Sequence, residues 1–299
     1  MTLSRLTTEL RNAVSERIDT LSALEIVHLM NAEDATVAEA VGREAAAIAQ
    51  AVETVAAKLA VGGRLIYVGA GTSGRLGMLD SAECPPTFNS PPGQVLGIIA
   101  GGPAAMQRSV EGAEDSRETA VEDLRKVNLS ANDVVFGIAT SGRTPYVLGG
   151  LEYARQIGAA TVALSCNRQA ALSRAADVTI TPIVGPEVIT GSTRLKAGTA
   201  TKMILNMVST GAMVLLGKTY SNLMVDLRAT NSKLVDRARR IVATLTGLSE
   251  HEAEELLAQC NGEVKTAVVA NRCGLDAEQA RQRLQSTAGH LRRALESLL

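Results

Sequence analysis

Two copies of one short pattern, an apolar run followed by T-S-G-R, constrain the fold of this chain more than any other feature. Residues 66–76 read IYVGAGTSGRL, and residues 134–144 read VVFGIATSGRT. In each copy, an apolar run that is typical of a buried strand gives way to small hydroxyl residues and a glycine. The repeat predicts that the chain makes the same strand-to-turn transition twice within one sheet.

Five short runs rich in apolar and β-branched residues predict the strands of that sheet. They lie at 64–68, 94–99, 133–138, 160–164 and 177–181. Helical patterns separate several of the runs, notably at 115–126 and 145–157, and this alternation is typical of a parallel sheet. The runs lack strict alternation, which fits strands that are buried on both faces. We therefore predict an α/β fold in which helices flank a five-stranded parallel sheet.

The remaining segments predict helices on either side of this sheet. We expect helices at the N-terminus, one of them a long helix from about Ala35, and further helices over 193–216 and 230–244. In the tail, Ser249 and Glu252 resemble a capping box that opens a small helical unit. The predicted segments are an N-terminal helical segment 1–53, a sheet domain 54–217, a connecting helix 218–246 and a C-terminal helical domain 247–299.

Composition excludes several classes of function. The 30 Lys and Arg balance 31 Asp and Glu, so charge predicts no binding to nucleic acid or to an anionic membrane. The most apolar stretch, 203–217, is too short to span a bilayer, and the N-terminus lacks a secretory signal pattern, so we expect a cytoplasmic protein. The four cysteines form no C-x-x-C pair and only three His occur, so we predict no metal site.

The glycine-rich loops have two competing interpretations. Residues 69–74 read GAGTSG, but the next apolar run ends in IIAGG without the carboxylate that a dinucleotide site requires. Small hydroxyls beside helix N-termini favour an anion such as a phosphate. A plain turn is the alternative. The residues predicted to bind the ligand at the two loops are Thr72, Ser73, Gly74, Thr140, Ser141, Gly142 and Thr144.

Carboxylates between the two loops are the candidates for acid and base chemistry. Glu83 precedes Cys84-Pro85-Pro86, and the prolines predict that the helix after the first loop ends near Glu83. An acidic run at 109–124 contains six carboxylates, among which composition selects none. Cys84 lacks a neighbouring His, which argues against a thiol nucleophile.

Three longer stretches carry a resemblance to a known family. The segments YVGAGTSGRLGMLDSAECPPT, GIATSGRTPYV and GSTRLKAGTATKMILNM resemble the N-acetylmuramic acid 6-phosphate etherases, which contain a sugar isomerase (SIS) domain. The resemblance extends over nearly the whole chain. It implies that Glu83 and Glu114 are catalytic and that the ligand is a phosphorylated amino sugar.

The resemblance also implies the reaction, which is loss of D-lactate from N-acetylmuramate 6-phosphate by elimination, followed by hydration to N-acetylglucosamine 6-phosphate. No cofactor is implied, and a homodimer is expected. Two alternatives on the same domain are a non-catalytic sugar-phosphate-binding regulator and an aldose–ketose phosphosugar isomerase. We further expect the segment 191–202 to enter the site through Ser192, Thr193 and Lys196, although Ser192 and Thr193 could instead cap the helix that follows.

Overall fold

The computed structural model describes residues 6–227 and 232–296 of the chain. The chain divides into two compact units. The first comprises Met1–Ala82 and Gly93–Ser209, and the second comprises Glu83–Pro92 and Thr210–Leu299. The four-segment division drawn from the sequence differs from this one, because it places 83–92 in the sheet domain, and it stays a prediction.

The first unit contains the parallel sheet that the sequence predicts. Its strands are β1 (Leu65–Gly69), β2 (Val95–Ile99), β3 (Val134–Ile138), β4 (Ala160–Leu164) and β5 (Val178–Ile180). They pair in the order β2-β1-β3-β4-β5, and all pairs are parallel. Each strand overlaps one of the five predicted runs, so the predicted sheet is confirmed.

Helices flank this sheet. They are α1 (Ala23–Asp34), α2 (Val37–Gly42), α3 (Ala45–Ala60), α4 (Gly71–Phe88), α5 (Arg117–Lys126), α6 (Pro145–Ile157) and α7 (Lys196–Leu215). On one face, Val68 and Val135 of the sheet pack in a buried cluster with Leu124 of α5 and Leu151 of α6. Every residue of β1 and of β3 is buried. Because both faces of these strands are covered, their sequences show no alternation of polar and apolar residues.

The prediction of one long helix from about Ala35 is wrong, because the helix is interrupted. The chain forms two helices, α2 and α3, which are separated at Arg43 and Glu44. The Glu44 carboxylate accepts a hydrogen bond of 2.9 Å from the Thr181 backbone N–H, just after β5. This tertiary bond holds Glu44 at the start of α3, and no local sequence pattern reveals it.

The helix after the first loop does not end at Glu83. Helix α4 continues to Phe88 with Pro85 and Pro86 inside it. Proline removes a helix hydrogen bond, but its fixed φ is helical, so the helix can continue when packing compensates for the loss. Cys84 and Phe88 are both buried on this segment, at 2% and 6% exposure. Glu83 therefore lies within a helix rather than at its end.

The second unit is mainly helical. It contains a short antiparallel pair, β6 (Thr219–Tyr220) and β7 (Leu223–Met224). Its other helices are α8 (Ser232–Thr246), α9 (Glu250–Gln259), α10 (Val264–Cys273), α11 (Ala277–Ser286) and α12 (Leu291–Glu296). The start predicted for α8, at residue 230, lies outside the described residues.

Helix α8 shares one hydrophobic core with the tail helices. Val242 of α8 clusters with Leu257, Val268 and Leu284 from the helices that follow. The predicted capping box is confirmed, since the Ser249 hydroxyl accepts from the Glu252 N–H and the Glu252 carboxylate accepts from the Ser249 N–H. Within the described residues, no helix has both the length and the hydropathy to cross a membrane.

Candidate functional site

The two T-S-G-R loops lie side by side at one edge of the sheet, although the first is not a separate loop but the first turn of α4, which begins at Gly71. The first follows β1 and the second follows β3, and these strands are direct neighbours. The strand order reverses between them, because β2 lies on one side of β1 and β3 on the other. In open parallel sheets, ligands bind at the carboxyl ends of the strands where the order reverses.

The first loop brings helix α4 unusually close to the end of β1. A Cβ at Gly69 would lie 2.7 Å from the backbone nitrogen of Gly74, and a Cβ at Gly74 would lie 2.8 Å from the Gly69 carbonyl oxygen. Only glycine permits this approach at both positions. The loop hydroxyls differ in burial: Ser73 is 8% exposed, whereas Thr72 is partly exposed.

The second loop leaves its hydroxyls accessible. Thr140, Ser141 and Thr144 are partly exposed. The Ser141 hydroxyl accepts from the Arg143 N–H at 3.3 Å. Thr144 precedes α6, but its side chain makes no capping hydrogen bond, so the hydroxyl is not used by the helix. Gly142 has a φ of +70°, and a Cβ there would lie 2.3 Å from the Ala170 Cβ.

A cavity of about 370 Å³ connects Glu114 with the first loop. Gly71 and Arg75 line it on one side, and Glu111, Glu114 and Asp115 line it on another. Glu114 also belongs to the second loop's surroundings, since its backbone carbonyl accepts from the Tyr146 N–H at 3.0 Å, in the first turn of α6. Glu114 itself is exposed.

The structure divides the acidic run that composition could not resolve. Glu111, Glu114 and Asp115 line the cavity. Glu118 and Glu122 instead lie exposed on α5. Asp123, also on α5, bonds the Tyr146 hydroxyl and Lys126. Glu118, Glu122 and Asp123, three of the six carboxylates, therefore lie on α5 and do not line the cavity.

Glu83, the other predicted catalytic residue, is exposed on α4 and belongs to the second unit.

In the segment 191–202, the structure bears on the capping alternative only, because Glu187 caps the helix in place of Ser192 or Thr193. Helix α7 begins at Lys196. The buried carboxylate of Glu187 accepts from the Lys196 and Ala197 N–H groups, both at 3.0 Å, and so occupies the capping position expected for Ser192 or Thr193. Burial raises the pKa of Glu187, although the two backbone hydrogen bonds act in the opposite direction.

Lys196 is not a surface lysine. It is 3% exposed, and its ammonium lies 2.6 Å from a Glu33 carboxylate oxygen. Asn12 donates to the same oxygen at 2.8 Å. Burial by itself would raise the pKa of Glu33, but the hydrogen bonds from Lys196 and Asn12 outweigh it and lower that pKa. A ligand contact of Lys196 would therefore compete with this ion pair.

The Glu33–Lys196 pair predicts a pH-dependent loss of stability. Because the pKa of Glu33 is lowered on folding, its contribution is present above the ordinary value of 4.5 and is lost as pH falls through the folded value. We expect Glu33→Gln to lower the free energy of unfolding at pH 7 by about 1–3 kcal/mol. The deficit should shrink towards pH 4, as measured by urea unfolding.

Glu39→Gln is the matched control for this prediction. It removes a pair with Arg43 in which the Glu39 side chain is 79% exposed, so its effect should stay below about 1 kcal/mol. A Glu33→Gln deficit that does not change between pH 7 and pH 4 would contradict the prediction.

Sequence reasoning gave no role to Arg75, the arginine of the first T-S-G-R. Its guanidinium donates to the carbonyl of Ala105 at 2.9 Å and to that of Arg108 at 3.4 Å. Arg75 therefore holds the segment that forms one wall of the cavity. The matching Arg143 is exposed. Within the described residues, no cluster of three or more His, Cys, Asp or Glu is placed to hold a metal.

Comparisons with family models agree with this architecture. Residues 47–155 match the glucokinase regulatory protein N-terminal SIS domain, and residues 117–211 match the SIS domain. Residues 221–265 match the C-terminal lid domain of glucokinase regulatory protein. A phosphoheptose isomerase of Neisseria gonorrhoeae shares the fold, with a TM-score of 0.50 and 16% identity, covering 64% of this chain and 98% of that one.

Curated relatives match over almost the entire length. The N-acetylmuramic acid 6-phosphate etherase of Rhodopirellula baltica is 58% identical, covering 98% of this chain and 97% of the relative. The enzyme of the same name from Erwinia tasmaniensis is 56% identical over 99% of this chain and 97% of its own. Identity at this level, over both the sheet unit and the helical tail, shows that the chain belongs to the N-acetylmuramic acid 6-phosphate etherase family.

Proposed function

We propose that this protein cleaves the D-lactyl ether of N-acetylmuramate 6-phosphate and releases N-acetylglucosamine 6-phosphate and D-lactate. The observation that carries the proposal is the full-length identity to etherases. The site agrees with it, since two hydroxyl-bearing loops and a carboxylate-lined cavity share one sheet edge. The reaction belongs to the recycling of cell-wall amino sugars.

The chemistry requires an acid and a base but no redox step. In the open-chain sugar, the C1 aldehyde acidifies the proton on C2. A base removes that proton, and lactate leaves from C3 when its oxygen receives a proton. Water then adds to C3 of the unsaturated aldehyde. We assign Glu83 as the acid at the lactyl oxygen and Glu114 as the base at C2 or at the attacking water.

Lactate release distinguishes this function from the alternatives. N-acetylmuramate 6-phosphate is incubated with the protein, and D-lactate is measured with a D-lactate dehydrogenase. The proposal predicts stoichiometric lactate and N-acetylglucosamine 6-phosphate. A protein that binds the sugar phosphate and releases no lactate would be a regulator. One that interconverts an aldose and a ketose phosphate without lactate would be an isomerase.

The phosphate is proposed to bind at the second loop, through Ser141 and Thr144, with Thr140 and Gly142 shaping the turn. Thr72, Ser73 and Gly74 of the first loop lie nearer the sugar in this proposal. Ser192 and Thr193 are proposed to reach the ligand, and Lys196 is proposed to serve either the phosphate or the lactyl carboxylate. The support is a helix N-terminus at each copy, where backbone N–H groups and hydroxyls favour an anion: the first T-S-G-R lies in the first turn of α4, and the second directly precedes α6.

Ser141→Ala tests the phosphate assignment. Loss of a hydrogen bond to a charged group should weaken binding of N-acetylglucosamine 6-phosphate about 10- to 100-fold in calorimetry. Binding of unphosphorylated N-acetylglucosamine should not change. Ser130→Ala, at the opposite edge of the sheet, is the control. Equal binding of the phosphorylated and unphosphorylated sugars by the parent protein would refute the assignment.

The exposed apolar side chains near the N-terminus support a homodimer. They are Leu10, Val14, Leu24, Val27 and Ile189, each 44–66% exposed. We name these five residues the N-terminal apolar patch. Hydrogen bonds join the segments that carry it, because Ser15 donates to the Val188 carbonyl and Asn12 donates to Glu33 on α1. The proposal is that these side chains form one contiguous apolar surface, and surfaces of that kind mark sites of association.

Val27→Asp should convert the dimer to a monomer, because a carboxylate in the centre of an apolar interface is costly to bury. Sedimentation velocity measures the change. Val61→Asp, which alters an equally exposed valine at the end of α3, should leave the dimer intact. A monomeric parent protein would contradict this assignment.

A cytoplasmic location is part of the proposal. The substrate is a charged sugar phosphate, which does not cross a bilayer unaided. None of the four cysteines, all of which lie in the described part of the chain, forms a disulfide, as expected in a reducing compartment.

A further inference from the structure

A buried asparagine beyond the end of β4 has no role in the chemistry proposed above. Asn167 is 1% exposed. Its Oδ1 accepts from the Thr7 N–H at 2.7 Å and from the Thr7 hydroxyl at 2.8 Å. Its Nδ2 donates to the Thr8 hydroxyl at 3.2 Å and to the Thr140 carbonyl at 2.9 Å. Two donors and two acceptor sites are the full capacity of an amide, so the side chain has a single orientation.

The Thr140 carbonyl is therefore held by two donors. One is Asn167, and the other is the Cys166 N–H at 2.9 Å. The peptide between Thr140 and Ser141 is trans and planar, so its carbonyl and the Ser141 N–H point in opposite directions within one plane. Fixing the carbonyl thus fixes the direction of the Ser141 N–H. Within residues 6–227 and 232–296, no protein acceptor is found for that N–H.

We infer that Asn167, held by Thr7 and Thr8, is a positioning residue that aims the Ser141 N–H at the phosphate of the substrate. The inference rests on the proposed function, because it assumes that the second loop binds a phosphate. A donor that is already aligned loses little orientational freedom when the anion binds, so its alignment strengthens binding.

The N-terminal segment is part of this arrangement. Thr8 is fully buried, and its carbonyl accepts from the Gly191 N–H at 3.3 Å. Thr7 and Thr8 thus both contact the amide that braces the second loop, and Thr8 also contacts the start of the segment 191–202. The partners are about 160 positions apart in sequence, which is why no local pattern indicates the link.

Thr8→Val tests the inference, because valine keeps the shape of threonine and removes the acceptor of the Asn167 Nδ2 group. We expect the dissociation constant of inorganic phosphate, measured by calorimetry, to rise about five-fold. KM for the substrate should rise by a similar factor. We expect kcat to change little, since the chemical step does not use Thr8. Thr8→Ser, which restores the hydroxyl, should recover the parent values.

Thr161→Val is the control for a purely structural effect. Thr161 is fully buried at the amino end of β4, where its hydroxyl bonds Asp177 at 2.8 Å. It should lower the melting temperature without changing phosphate binding. Unchanged phosphate affinity in Thr8→Val, or an equal loss in Thr161→Val, would overturn the inference.

Two further measurements keep the test decisive. If Thr8→Val does not fold, by circular dichroism, Thr7→Val removes one hydroxyl bond from the same amide and should weaken phosphate binding in the same direction. Unchanged phosphate affinity in a folded Thr7→Val would then overturn the inference. Phosphate calorimetry does not depend on turnover, so a parent protein that binds phosphate without releasing lactate contradicts the proposed function and leaves this test intact.

Discussion

Replacing Glu114 with Gln will reduce D-lactate release by about 10²–10⁴-fold, because an amide cannot accept the C2 proton. Gln keeps the size of the side chain, and the backbone carbonyl that bonds the Tyr146 N–H is unchanged, so the fold should persist. In deuterated water, the variant should also fail to exchange the C2 proton of N-acetylglucosamine 6-phosphate. Proton NMR of the product sugar measures this exchange.

Two neighbours of Glu114 provide the controls. Glu111→Gln changes a carboxylate in the same cavity, and Glu118→Gln changes an exposed one on α5. Both variants should keep near-parent activity. Retained C2 exchange in Glu114→Gln, together with lost hydration, would assign Glu114 to the attacking water instead. Full activity in Glu114→Gln would return the choice to the other acidic residues of the cavity.

Replacing Glu83 with Gln should also suppress lactate release by about 10²–10⁴-fold, but for a different reason, since it removes the acid that we propose protonates the lactyl oxygen. Deprotonation at C2 does not require departure of the C3 group. The variant should therefore still exchange the C2 proton of the product sugar while releasing no lactate from the substrate.

The comparison of the two variants decides the assignment. Exchange lost in Glu83→Gln and kept in Glu114→Gln would reverse the two roles. Glu53→Gln, on α3 outside both proposed sites, controls for nonspecific effects of the substitution. Activity of Glu83→Gln equal to that of the parent would remove Glu83 from the mechanism.

The sheet was predictable because its signals are local. β1, β3 and β4 are runs of buried apolar residues bounded by turns, and such runs need no partner to be recognised. The end of α4 was not predictable from local rules, which place a helix boundary before Pro85. The burial of Cys84 and Phe88 is a tertiary effect that overrides the local preference.

The candidate site was predictable only in part, for the same reason. The T-S-G-R repeat located the two loops, since hydroxyls and glycines after a strand are visible in sequence. Glu114 was selected only by family resemblance. The hydrogen bond from the Tyr146 N–H to its carbonyl joins residues far apart in sequence, so local patterns could not single it out. The Glu33–Lys196 pair and the Glu187 cap also join distant segments, so no spacing in the sequence could reveal them.

The central claim, that the bond between C3 and the lactyl oxygen breaks and that C3 then takes its new oxygen from water, can be tested directly by running the reaction in ¹⁸O-labelled water and analysing both products by mass spectrometry. Elimination breaks the bond between C3 and the lactyl oxygen, so D-lactate keeps the original ether oxygen and the new C3 hydroxyl comes from water. The C1 oxygen also exchanges through the open-chain aldehyde, so fragment ions must be used to read C3 separately. We predict label at C3 of N-acetylglucosamine 6-phosphate and none in the lactate hydroxyl. Label in the lactate hydroxyl, with unlabelled C3, would show attack at the lactyl carbon and contradict the mechanism.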